Sequence, residues 1–350
     1  MSQFHSLKVK EVKRLTPSAV AISFEVPPEL EDQFDFAAGQ YLTLKHPSSG
    51  AEVRRAYSLC SKPGDSLLTI GVKKVPGGAL SPFANEDIRE GDVLEVLPPQ
   101  GRFVFTPGDE GKQIIAFAAG SGITPIMSIV RRALEDHPGN QVVLVYGNQS
   151  KEETMFYDEL EALKSEYAER FFIHYLFSRE KEEEGLFGRI DKSIVNYITK
   201  NKHKDLSPEG YFLCGPEPMI ETVSETLKEN GVPEDQIHYE LFTVSEEEGA
   251  GAVDLPEGMS HLVVTLDETE YELDMDRSSL VLDAVLKAKI DAPYSCQGGV
   301  CSTCIARVTE GTTEMEKNQI LTDSELEEGF ILTCQAHPTS AVLKIDYDDI

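Results

Sequence analysis

Basic residues are in short supply: 32 Lys and Arg stand against 61 Asp and Glu in 350 residues, a formal charge of -29. A phosphate backbone demands clustered cations, so this balance argues against a nucleic-acid partner. Long apolar runs are also missing. No stretch approaches the ~18 residues needed to cross a bilayer, and no membrane helix is expected. The opening Met1-Ser2-Gln3-Phe4-His5-Ser6-Leu7-Lys8 has no apolar signal core, and neither end carries a targeting or lipid pattern, so the expected compartment is the cytoplasm. Hydrolytic signatures are absent as well. There is no Ser-His-Asp set, no pair of sugar-cleaving carboxylates and no His-Glu-x-x-His motif, and the eight histidines are scattered. Two of them, His174 and His238, fall in strand patterns and read as structural.

Cysteine is scarce, but its placement is informative. Of six, four stand as Cys296, Cys301, Cys304 and Cys334, in the order Cys-x4-Cys-x2-Cys with the fourth following after 29 intervening residues. This is the plant-type spacing for a 2Fe-2S cluster, whose two irons each take two thiolates. Disulfides would fit an exported protein, which the N-terminus does not suggest. Structural zinc pairs two compact Cys-x2-Cys knuckles, and here only one half is compact. The loop from Ser295 to Cys304 is small and glycine-rich, which lets backbone N–H groups approach sulfur and stabilise the more negative reduced cluster. A one-electron carrier of low potential is expected, near the about -400 mV of plant-type centres.

A chain of this length with 40% hydrophobic residues can bury more than one core. Hydrophobic rhythm divides it into parts. Strand patterns at residues 7–15, 19–26, 41–45, 54–60, 67–74 and 93–97, separated by Pro and Gly turns, predict a small antiparallel barrel. After a turn-rich boundary at 106–111 the pattern alternates. Strands at 113–118, 141–146, 171–177, 211–214 and 236–241 are interleaved with helical stripes at 126–134, 156–168 and 219–229, which predicts a parallel nucleotide-binding sheet. An acidic, glycine-rich stretch then marks a linker. The expected domains are 1–108, 109–245 and 261–350, joined across 246–260. The last is the most acidic, with 18 acidic against 6 basic residues, and this charge suits steering toward a basic acceptor face as well as plain solubility.

The first strand-to-helix turn of the second domain, Ala119-Gly120-Ser121-Gly122-Ile123-Thr124-Pro125, is placed where a dinucleotide's phosphates would sit. Gly120 and Gly122 free backbone donors, and Thr124 and Pro125 open the helix whose positive end faces them. A tight turn with no ligand would use the same residues.

Three further runs carry a family resemblance. Pro293-Tyr294-Ser295-Cys296 and Leu332-Thr333-Cys334-Gln335 resemble the ferredoxin domain of bacterial oxygenase reductases, over residues 257–350. Arg55-Ala56-Tyr57-Ser58 resembles the Arg-x-Tyr-Ser signature of ferredoxin-NADP reductase-type flavoproteins, and Gly78 with Ser81 resembles their phosphate loop. Cys214-Gly215-Pro216-Glu217-Pro218-Met219 and Glu240-Leu241-Phe242 resemble the segments that close their nicotinamide site. The order of domains is similar to that in reductase components of phenylacetyl-CoA epoxidase and ring-hydroxylating oxygenases.

The resemblance implies a multidomain protein with an antiparallel β-barrel flavin domain, a doubly wound parallel α/β nucleotide domain and a β-grasp ferredoxin domain. It implies FAD, with FMN as the alternative. Arg55 would meet the flavin diphosphate, Tyr57 the ring and Ser58 its N5, while Gly78 and Ser81 would hold phosphate. Ser58, Cys214 and Glu240 would be the catalytic set, with Phe242 near the flavin. Ser178 and Arg179 resemble a pair that grips a 2′-phosphate, whereas Gln149 stands where many relatives carry a basic residue. NADPH is therefore the expected donor and NADH the alternative. A nicotinamide gives two electrons and a cluster takes one, so a flavin between them would explain the three domains on one chain. The acceptor is expected to be an oxygenase component. A reductase for another acceptor, such as a hybrid-cluster protein, and a non-enzymatic iron-sulfur carrier or sensor are the alternatives.

Overall fold

The computed structural model describes residues 3–48, 51–108, 111–181, 185–242 and 258–350. Most of the acidic linker expected at 246–260 lies outside the described residues. The chain divides into two compact units, Gln3–Phe242 and a second whose described part is residues 258–350.

Six antiparallel strands open the first unit: β1 (His5–Thr16), β2 (Ala19–Glu25), β3 (Tyr41–Ser48), β4 (Ala51–Ser58), β5 (Leu68–Lys73) and β6 (Val93–Val96). Their order is β4-β3-β6-β1-β2-β5. Strand β1 shows why: Leu7 and Val9 are buried while Lys8 and Lys10 are exposed, the period-two pattern of a one-sided sheet. An antiparallel bridge between Leu59 and Ile70 draws the two edge strands together and closes the barrel. A short helix α1 (Ser81–Glu86) follows β5. Sequence periodicity gave no sign of it, because six residues are too few to show a stripe.

The second sheet is parallel, in the order β10-β9-β8-β7-β11-β12. It runs as β7 (Gln113–Ala119), α2 (Ile123–Asp136), β8 (Gln141–Asn148), α3 (Tyr157–Glu166), β9 (Phe171–Phe177), β10 (Leu186–Phe187), α4 (Lys192–Asn196), β11 (Gly210–Gly215), α5 (Glu217–Glu229) and β12 (Ile237–Leu241). Strands β7, β8 and β11 are almost wholly buried, as a sheet covered on both faces requires. The chain order reverses between β7 and β11, which makes a crevice at their carboxyl ends, the usual ligand position in such sheets. Phe156 was expected inside a helix but precedes α3 with φ 61°, because its ring is buried in the core shared by both sheets.

Barrel and parallel sheet share that core. Ala19, Ala38, Cys60, Phe103 and Phe105 from the barrel side join the cluster built by β7, β8, β11 and α2, and Phe103 meets Phe212 edge-on at 5.7 Å. Shared burial makes these two sheets one unit.

The second unit has a five-stranded mixed sheet and a two-stranded one. Its elements are β13 (Met259–Leu266), β14 (Thr269–Asp276), α6 (Val281–Lys287), β15 (Ile305–Glu310), β16 (Thr313–Met315), α7 (Asp323–Glu327), β17 (Phe330–Leu332), β18 (Ala336–Pro338) and β19 (Val342–Asp346). The larger sheet runs β14-β13-β19-β15-β17, with β13 and β19 parallel, and α6 buries Val281, Leu282 and Val285 in the core, a β-grasp arrangement. Asp267 and Glu268 take φ of 53° and 58° in the β13–β14 hairpin. The Asp348 carboxylate accepts both their N–H groups, which holds this tight turn.

Candidate functional site

The crevice at the β7–β11 switch gathers three residues that are far apart in sequence. Ser58 ends β4, Cys214 lies in β11 and Glu240 in β12. Cys214 and Glu240 are paired across parallel strands and so share a face, and the Ser58 hydroxyl donates to Glu240 Oε2 at 3.2 Å. All three are buried. Burial pushes the Glu240 carboxyl up to about 8, against the smaller pull of the Ser58 hydrogen bond. Burial, and then the Glu240 charge, raise the Cys214 thiol well above its ordinary value. At neutral pH the site therefore holds a protonated carboxyl and a protonated thiol in low dielectric. Phe242, two residues beyond Glu240, is half-buried against the shared core.

The turn expected to hold phosphate fills the crevice from the other side. Gly120 has φ 55°, and its carbonyl accepts a hydrogen bond from the buried Tyr146 hydroxyl at 3.0 Å. Gly122 is fixed by close approach: a Cβ there would stand 2.0 Å from the Cys214 carbonyl oxygen. Its role is to bring the turn against β11, which only a residue without a side chain permits. Thr124 donates its hydroxyl to the Ser121 carbonyl at 3.0 Å and is buried together with Pro125, so both shape the turn from beneath.

Two barrel residues complete this wall and were not singled out in the sequence. A Cβ on Gly71 of β5 would lie 2.5 Å from Thr124 Cγ2. The Lys73 ammonium is 4.0 Å from the position a Gly120 Cβ would take, and it faces Glu153 at 3.9 Å. A glycine within a strand was the available signal for Gly71; nothing in the sequence pointed to Lys73.

On the barrel, Arg55 is exposed with Nη1 donating to the Arg54 carbonyl at 2.7 Å, and Tyr57 is half-buried beside the barrel core. Burial raises the Tyr57 hydroxyl above its ordinary value, so it stays a neutral aromatic face. Gly78 and Ser81 lie in one turn: the Val75 N–H donates to Ser81 Oγ at 3.0 Å, and the Gly78 N–H to the Val75 carbonyl at 3.0 Å. Beyond the carboxyl ends of β8 and β9 is an open cleft of about 600 Å³ lined by Ser150, Lys151, Glu152, Arg179 and Glu180. Arg179 is exposed there and anchored by its N–H on the Gln149 carbonyl at 2.9 Å, with Ser178 bonded to the Asn148 carbonyl. Lys151, two residues past the neutral Gln149, lines the same cleft as Arg179.

The four cysteines of the second unit are free thiols, three of them buried and Cys296 half-buried. Hydrogen bonds from Cys301 and Cys334 hold Cys296 below its ordinary value, and a bond from Cys334 does the same for Cys304. Cys301 and Cys334 are pushed up in turn. The four sulfurs thus sit within reach of one another. The Gly298 N–H points at Cys296 Sγ at 3.4 Å. Among the described residues no three His, Cys, Asp or Glu side chains converge on a single ion. A two-iron cluster asks instead for two thiolate pairs around a wider core, and this donor set fits it. The polar crevice and the close glycine turn of the first unit fit a flavin and a dinucleotide in the same way.

Comparison with known proteins agrees with each part. The oxidoreductase FAD-binding domain matches residues 6–105, the oxidoreductase NAD-binding domain 117–225 and the 2Fe-2S iron-sulfur cluster binding domain 264–339. The chain is 37% identical to a subunit of the 1,2-phenylacetyl-CoA epoxidase of Escherichia coli (strain K12), over 99% of both chains. It is 36% identical to the ferredoxin reductase component of 3-ketosteroid-9-alpha-monooxygenase of Mycolicibacterium smegmatis, over 98% of this chain and 97% of that one. Phthalate dioxygenase reductase shares the fold with a TM-score of 0.60 at 24% identity, each chain covered to 98%.

Proposed function

Because the chain belongs to the family of flavin- and iron-sulfur-dependent oxygenase reductase components, we propose that it takes hydride from NADPH and delivers electrons singly, through FAD and its own 2Fe-2S cluster, to an oxygenase of the phenylacetyl-CoA epoxidase or ring-hydroxylating type. The observation that carries this reading is end-to-end similarity to a component of an epoxidase, ferredoxin domain included. Flavin, when bound, accepts an electron pair and releases it in single steps.

The residues of this chain bind, orient and insulate. Arg55 offers a guanidinium to the flavin diphosphate, Gly78 and Ser81 offer a turn to phosphate, and Tyr57 and Phe242 offer ring faces. Ser58 Oγ, held on Glu240, is aimed at the reacting edge, and the protonated Glu240 keeps negative charge out of a crevice through which a hydride must pass. Cys214 is a compact neutral wall that sets the depth of the nicotinamide. Gly120 and Gly122, shaped by Thr124 and Pro125, receive the pyrophosphate. Ser178 and Arg179, with Lys151 across the cleft, receive a 2′-phosphate, which favours NADPH over NADH. Six free cysteines fit a reducing cytoplasm.

Initial rates of cytochrome c reduction with NADPH and NADH test the donor. Addition of purified oxygenase components of the epoxidase and ring-hydroxylating classes, with product formation as readout, tests the acceptor. Reduction of cytochrome c with no turnover by either class of oxygenase would sink the acceptor assignment.

A further inference from the structure

Cys334 is flanked by two side chains that reach back to the three-cysteine loop. On one side, Thr333 Oγ1 donates to the Cys304 carbonyl at 2.9 Å, and is itself fixed by the Tyr347 hydroxyl at 2.9 Å. On the other side is Gln335, a residue only 7% exposed. Its amide nitrogen faces three acceptors: the Cys334 carbonyl at 2.7 Å, the Gln297 carbonyl at 3.2 Å and Cys334 Sγ at 3.8 Å.

The target of the second bond is unusual. Gln297 follows Cys296 and holds φ 56°, a left-handed conformation that is strained in a non-glycine residue and persists only where its surroundings enforce it. Two residues on, Gly299 has φ 73° and lies so close that a Cβ would come 3.0 Å from Gln335 Cγ and 3.2 Å from the Lys317 carbonyl. The stem of Gln335 therefore bears on Gly299 while its head bonds Gln297. Its backbone is fixed independently, with its N–H on the Leu332 carbonyl and its carbonyl accepting from Glu316, both at 2.9 Å. Thr333 ties the Cys304 end of the loop, and Gln335 ties the Cys296 end.

We propose that Gln335 is a positioning residue for the cluster: it clamps the Gln297–Gly299 turn against Cys334 and directs an amide dipole at the Cys334 sulfur, which makes the cluster slower to lose and easier to reduce. A donor beside a thiolate favours the state with more negative charge, and the reduced cluster is that state. The inference rests on the cluster assignment, whose failure would already be visible in the wild-type protein as an absence of iron and of a paramagnetic signal after reduction.

The test uses the full-length, cluster-loaded protein with Gln335→Met, which keeps the stem and removes the donors, and Gln335→Asn, which keeps an amide but withdraws it by one methylene. Bound iron during a chelator challenge reads the clamp, and dye-mediated redox titration followed by paramagnetic resonance reads the dipole. For Gln335→Met we expect about tenfold faster iron loss and about a tenfold lower reduced-to-oxidised ratio at fixed potential, which is about 59 mV for one electron. Gln335→Asn should fall between Met and wild type. If Gln335→Met cannot hold iron at all, retention by Gln335→Asn with a lowered potential supports the clamp. Wild-type iron retention and potential in Gln335→Met, the mark of a residue that only fills space, would overturn it, as would equal loss of iron from both variants, because an amide kept one methylene short would then count for nothing.

Discussion

Cys214 and Cys296 are the same side chain in two settings. Cys214 is sealed in the crevice of the first unit, where burial and the neighbouring Glu240 keep its proton on. Cys296 is half-buried in the second unit, where other thiols and the Gly298 and Val300 amides favour its loss. The difference lies in what surrounds the sulfur. A thiol among apolar groups is inert packing, whereas one ringed by donors is ready to become a metal ligand. In the first unit burial keeps protons on, whereas in the second the thiols shift one another, Cys296 and Cys304 downward and Cys301 and Cys334 upward.

The largest effect should come from removing a thiolate. Cys301→Ser should abolish bound iron and acceptor reduction while NADPH-driven reduction of ferricyanide continues. Loss of both activities together would mean the units are not separable. Gly122→Ala attacks the other side of the comparison. A Cβ placed 2.0 Å from the Cys214 carbonyl should destabilise the first unit by about 3 kcal/mol or more, seen as a lower urea midpoint for flavin release with the iron chromophore unaffected. An unchanged midpoint would show that the turn can retreat from β11.

Smaller effects concern protons. Ser58→Ala removes a buried hydrogen bond and should slow hydride transfer about tenfold, the equivalent of ~1.4 kcal/mol; a stopped-flow rate equal to wild type would remove Ser58 from the site. Glu240 is raised from an ordinary 4.5 to about 8. Between those values the folded protein holds a proton that the unfolded chain releases, so stability falls as pH rises through that window. Glu240→Gln should flatten this decline in denaturation curves measured from pH 5 to 8. The weakest effect should be at His174, whose Nε2 lies 2.7 Å from that of His203. Burial, and then His203, lower it from 6.5 to about 4. The unfolded chain takes up a proton first, so stability is lost as pH falls from 6.5 toward 4, and His174→Gln should shift acid unfolding to lower pH. No shift would mean that the pair is hydrated.

The 2Fe-2S domain was legible because its candidate ligands are chemically distinctive and three of the four, Cys296, Cys301 and Cys304, are local in sequence. The barrel and the parallel sheet were legible from strand rhythm and from the fully buried runs of β7, β8 and β11. The pattern failed where an element was short, as for α1, or where one residue's packing overrode periodicity, as for Phe156 before α3.

What only the tertiary structure decided is proximity. The sequence could nominate Ser58, Cys214 and Glu240 by resemblance, but the hydrogen bond across 182 positions exists because two sheets share one core. The same holds for Gly71 against Thr124, Lys73 beside Gly120, and the Gln335 amide reaching Gln297. Local spacing determines which ligands a loop can offer. Burial energy, summed over the whole fold, determines which distant side chains meet and whether they keep their protons.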